Sequence, residues 1–179
     1  MTLTADMEDE LKVAMLHHVR YEITHCLIIP AWREDAPMLK EAIFLSFFVH
    51  ARNLIHFFER ERKDPTQDDV YASDYGFPRR DISLAADDRM RFGKDMMHIT
   101  SRRERHTTIT KPWPILQTYS ALKPVGYDFS QHIVRNFAPR LSVAERGAWM
   151  ELSSLLSSPS AQLICTKEEP KLPETTRGK

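Results

Sequence analysis

The densest apolar run in the chain covers residues 40–60, KEAIFLSFFVHARNLIHFFER, and it carries His50, Arg52, Asn53 and His56 within seven positions. A helix that is apolar on almost every side is a central or interface helix. Polar groups on such a helix must find partners or stay near water. The pattern predicts a helix starting near Pro37, where the missing N–H is not needed, and ending before Asp64 and Pro65. Its length would be about 39 Å. Ile43, Phe44, Phe47, Ala51, Leu54, Ile55 and Phe58 form its core stripe. Leu45, Val49 and Phe57 fall off that stripe and predict a second contact surface, either another helix or a second subunit.

Upstream, a first helix is expected over residues 7–29, ended by Pro30. Leu11, Met15, Val19, Glu22, Cys26 and Ile29 share one face at about 100° per residue. Glu22 sits in the middle of that stripe, where an ionised carboxylate needs a partner. Arg52 of the second helix is the predicted one, so that Glu22 and Arg52 form a structural polar pair. Residues 63–80 hold turn chemistry at Asp64, Pro65, Gly76 and Pro78 and read as a connection. Its aromatics Tyr71, Tyr75 and Phe77 are expected to pack on the helices. A third helix fits residues 83–105. A short helix over 115–122 follows Pro112 and Pro114, and Pro124 and Gly126 are expected to interrupt it. Asp128 and Gln131 resemble a capping box opening a helix over 129–137, and Ser142 with Glu145 makes a second one opening the last helix.

No segment alternates with period 2 between hairpin turns. The expected fold is all-α: a single-domain bundle of four to six helices over residues 1–157, built round the apolar second helix, with a disordered tail over 158–179 that is rich in Ser, Pro, Lys, Glu and Thr.

Composition narrows the function. The chain has 179 residues, enough for one domain with a real core. Formal net charge is zero, so the molecule as a whole is no electrostatic partner for nucleic acid or membrane. Cys26 and Cys165 make neither a disulfide framework nor a zinc site, which points to a reducing, cytoplasmic setting. The apolar run is too short for a membrane span, and the acidic N-terminus lacks a signal core.

Three residue sets could carry chemistry. Arg52 and His56 are four apart and share a helix edge, so with Asn53 they could hold a phosphate and transfer a proton. Asp95, His98 and Arg102 line one strip of the predicted third helix and could join them across a groove. Glu22 with His25, and Asp95 with His98, have the carboxylate–histidine spacing of di-iron bundles, but of the two further carboxylates needed Glu41 could supply one and no second is found. No metal or other cofactor is therefore expected.

Arg52, Asn53 and His56 resemble the signature of HEPN-type nucleases (an arginine, a polar residue, a short spacer, then a histidine), with a spacer of three residues in place of four to six. More broadly, VHARNLIHFF, then DDVYASDY, then HITSRR, over residues 11–137, resemble a family of uncharacterised bacterial helical proteins with a HARNLI-aromatic segment. By position that resemblance marks His50, Arg52, Asn53, Asp69, Asp74, His98 and Arg102 or Arg103; where the family has an acidic residue after Asn-Leu-Ile, this chain has His56. The leading expectation is a non-enzymatic interaction or oligomerisation module, with a second copy or another protein as partner. A metal-independent ribonuclease or RNA-binding domain using Arg52, Asn53, His56, His98 and Arg102 is the alternative, and a metal-binding bundle comes third.

Overall fold

Apolar positions recur at helical spacing along most of the chain, and the computed structural model, which describes residues 5–28, 37–63, 69–91 and 113–158, has helices as its regular elements. Five α-helices follow one another: α1 (Ala5–Leu27), α2 (Pro37–Glu59), the short α3 (Ala86–Met90), α4 (Ile115–Asn136) and α5 (Val143–Ser157). Two 3₁₀ turns, Ala72–Tyr75 and Ala138–Arg140, complete the set, and no strand occurs among the described residues. The chain is an all-α single domain.

The helices pack in pairs, α1 on α2 and α4 on α5, and α4 closes on both α1 and α2. Leu16, Ile23 and Leu27 of α1 meet Phe47, Leu54 and Phe58 of α2 in one core with Leu122, Phe129 and Ile133 of α4 and Trp149 of α5. Phe129 is its hub: its ring lies 5.2–6.0 Å from the rings of Phe57, Phe58, Tyr75, Phe77 and Trp149. Phe57 therefore meets another helix, α4, which is one of the two partners expected for its surface. Among the described residues Leu45 and Val49 remain exposed.

The connection after α2 packs as expected. Tyr71, Tyr75 and Phe77 are all buried. The Tyr75 hydroxyl donates to the Lys12 carbonyl at 3.1 Å, and the Arg80 N–H donates to the Phe58 carbonyl at 2.9 Å. Gly76 takes φ +70°, which a glycine reaches without steric cost. Glu59, at the end of α2, holds the start of the next segment. It accepts both guanidinium arms of Arg89 at 2.6 Å and the Ile82 N–H at 2.7 Å. Arg91, 3% exposed, lies 4.3 Å from the Trp113 ring, which packs on Phe48.

Two expected boundaries differ. α4 runs unbroken through Pro124 and Gly126. The carbonyl that Pro124 leaves without a donor belongs to Ser120, and both residues are exposed, so water can serve it. Gly126 faces the opposite way, against α1: a Cβ there would sit 2.9 Å from Leu27 Cδ1. Asp128 and Gln131 thus lie inside a helix and open none. Of the third helix expected over 83–105, residues 83–91 are described, and the α-helix begins only at Ala86, as α3. Residues 92–112 lie outside the described residues, as do 159–179, where most of the tail was expected. The second capping box forms as read: the Glu145 N–H donates to Ser142 Oγ at 3.2 Å, and the Ser142 N–H to Glu145 Oε2 at 2.9 Å.

Candidate functional site

The polar residues of α2 separate into two groups according to which way the helix turns them. His50 and Asn53 lie three apart and reach the seam with α1. There His50 Nδ1 donates to Glu22 Oε2 at 2.8 Å, and Asn53 Nδ2 donates to the same oxygen at 3.2 Å. The partners of Glu22 are therefore His50 and Asn53, and the expected Glu22–Arg52 pair is not made. Arg52 is turned outward, two residues beyond His50, which is more than half a helical turn. Tyr21 and His25 of α1 complete the seam. The His25 and Tyr21 ring centroids are 3.7 Å apart, and His25 lies 5.2 Å from His50. His25 Nδ1 donates to the Tyr21 carbonyl at 2.9 Å, so this nitrogen carries the hydrogen.

Both helices of the seam also carry exposed apolar side chains. Leu45 is 54% exposed and Val49 44%, one turn apart on α2, and Tyr21 of α1 is 47% exposed. Below them in the core, burial first and the Glu22 carboxylate second push the Cys26 thiol well above its usual range.

Further along the outer edge of α2 come Arg52 and His56, with Arg60 one residue past the helix end. Arg52 and Arg60 are exposed and His56 is half-buried, its ring 5.9 Å from that of Tyr71. Burial, together with the Arg60 and Arg52 cations, holds the His56 imidazole below its ordinary value, and Asp69 partly opposes this. Asp69 in turn accepts the Tyr71 hydroxyl at 3.2 Å. Asp74, marked by the family resemblance, is a structural residue: it accepts the Tyr71 N–H at 2.9 Å and Arg62 at 3.1 Å.

The nuclease set is thus divided. Arg52 and His56 share an edge, Asn53 is held by Glu22, and His98 and Arg102 lie outside the described residues, as does Asp95. Among the described residues no group of three or more His, Cys, Asp or Glu side chains is arranged to hold a metal ion. No described helix is long and apolar enough to cross a membrane.

Sequence reasoning passed over His132. It lies on an open groove of about 310 Å³ between α4 and the connection, with Phe77, Arg80, Tyr127, Asp128 and Arg135. Its Nε2 donates to the Tyr75 carbonyl at 2.8 Å, and its Nδ1 accepts from Asn136 at 3.0 Å. Both ring nitrogens are spent on structure. The i, i+4 spacing of His132 and Asn136 was the available signal. Comparison with protein-family models, curated proteins and solved structures gave no match.

Proposed function

We propose that this chain is a non-enzymatic interaction module that pairs with a second copy of itself through the outer face of α1 and α2. One observation carries the reading: Leu45, Val49 and Tyr21 are exposed apolar side chains on the two helices that meet at the seam, whose polar groups are already bonded to one another. A partner covering those side chains gains apolar burial, and the hydrogen bonds of Glu22, His50, Asn53 and His25 limit the desolvation cost. A two-fold, antiparallel arrangement suits the face. It carries the two Arg52 cations to opposite ends of the contact, whereas a parallel arrangement would set like charges together.

The likeness of the HARNLI segment to bacterial helical proteins supports a shared scaffold and brings no activity with it. A cytoplasmic setting is part of the reading, and Cys26, a buried free thiol, is compatible with it.

Sedimentation across a concentration series tests the proposal. The wild type is expected to dimerise, and Leu45→Lys and Val49→Lys to sediment as monomers with unchanged helical circular dichroism. A wild type that stays monomeric at high concentration overturns it.

A further inference from the structure

We propose that Arg52, His56 and Arg60 form a binding site for a phosphate group, seated over His56 between the two guanidinium groups. Arg52 and His56 stand four apart on α2, and Arg60, the first residue past its end, continues the turn by donating its N–H to the His56 carbonyl at 3.2 Å, so the three share one edge with about 12 Å from Arg52 to Arg60. Both arginine side chains are long enough to reach back toward the middle position.

All three side chains are unspent. Among the described residues no hydrogen bond or ion pair occupies the Arg52, His56 or Arg60 side chain, although Arg62, Arg79 and Arg89 each meet a carboxylate. Guanidinium groups bind phosphate oxygens through paired, charge-assisted hydrogen bonds, and an imidazolium adds a third donor. The His56 ring is half-buried against Tyr71, which limits its motion.

The charges around His56 are Arg52 from its own helix, Arg60 just past the end of that helix and Asp69 from the connection, beside the Tyr71 hydroxyl. Two cations outweigh one carboxylate, and this imbalance is part of what keeps the imidazole neutral below its ordinary titration range. A phosphate dianion would reverse the imbalance, so His56 takes up a proton as the ligand binds. That proton uptake separates a built site from a solvated row of arginines. The site lies beyond the apolar surface proposed for self-association, and its test reads a separate signal.

The experiment is an NMR pH titration of the histidine ring signals in the full chain. It is run at matched ionic strength with chloride alone, inorganic phosphate, adenosine monophosphate, or a short single-stranded RNA. Phosphate is expected to move the His56 midpoint upward. Arg52→Gln and Arg60→Gln should each weaken the response about tenfold or more, the loss expected for one paired guanidinium–phosphate contact. Asp69→Asn should strengthen it by removing the competing carboxylate. A response to inorganic phosphate and the nucleotide equal to that with RNA identifies a small phosphate ester as the ligand. A tighter response to RNA identifies the diester backbone. No His56 response to any of the three, or one left unchanged in Arg60→Gln, overturns the site.

Discussion

Exchanging a glycine for alanine should have opposite effects in α4 and α5. In α5, Gly147 has open space where a Cβ would go. Alanine there removes the entropic penalty of a helix glycine and should stabilise the fold by about 1 kcal/mol. Gly126 of α4 gains the same propensity term but meets α1. The added Cβ would lie 2.9 Å from Leu27 Cδ1, with Ile23 Cγ2 at 3.6 Å and Leu156 Cδ1 at 3.8 Å. Carbon atoms at rest are about 3.5–4.0 Å apart, so Leu27 must retreat by more than half an ångström. Leu27 is fully buried and Leu156 nearly so, which leaves little free volume to retreat into. Overpacking of this kind costs about 1–3 kcal/mol. Against a propensity gain of about 1 kcal/mol, the net change is a loss of up to about 2 kcal/mol. At roughly 2–4 °C per kcal/mol for a chain of this length, Gly147→Ala should raise the melting midpoint by a few degrees and Gly126→Ala should lower it or leave it flat. Urea unfolding followed by far-UV circular dichroism measures both. Equal stabilisation by the two substitutions would refute the close approach of α4 to α1.

Further tests probe the seam, the end of α2 and the cap of α5. Arg52→Ala should change stability by no more than about 0.5 kcal/mol, as for an ordinary surface position, while Glu22→Ala should cost about 1–3 kcal/mol because it strips the partner from the mostly buried His50; equal midpoints for the two variants in thermal unfolding would argue against the seam network. Glu59→Gln should cost on the order of 2 kcal/mol, since the carboxylate holds Arg89 and the Ile82 N–H together, and an unchanged urea midpoint would count against that clasp. The Ser142 side chain and backbone hold the Glu145 carboxyl below its usual range. Its folded value is depressed, so its contribution is full above the ordinary carboxylate range and fades as pH falls through the folded value. Stability measured against pH should show this acid-side loss in the wild type, and the loss should be smaller in Glu145→Gln.

How much of this was legible depended on whether a signal was local. The Ser142–Glu145 box was readable because both halves of the contact lie within one turn. Pro37 marked the start of α2 for the same reason. Pro124 misled because a proline breaks a helix only where the freed carbonyl lacks another donor, and the exposure of Ser120 is a tertiary fact. Gly126 read as a second breaker, yet its role is to let α1 approach, and that depends on Leu27, some hundred residues away in sequence. On α1 the predicted stripe was rotated. Leu11 is 52% exposed, while Leu16, Ile23 and Leu27, which the stripe omitted, are fully buried. The helix is apolar enough on several faces that periodicity alone could not orient it, and α2 and α4 decided the matter.

The same rotation explains why the polar residues of α2 were visible as a group but ambiguous in role. His50 and Asn53 are separated by three residues and Arg52 and His56 by four, so each pair keeps to one edge, and about 100° separates Asn53 from Arg52. One pair is turned to α1 and the other to solvent. Glu22 chooses between them, since its carboxylate can reach only the edge that faces it, and it takes His50 and Asn53. That choice has two consequences for function. It fixes α1 against α2, the two helices that carry Tyr21, Leu45 and Val49. It also leaves Arg52 without an anionic partner among the described residues, so the arginine's charge remains available to a ligand. Had Arg52 taken Glu22, the phosphate site would have lost one of its arms and His50 its carboxylate partner. A variant that moved the carboxylate to the outer edge of α1 should therefore weaken the seam and the phosphate response together.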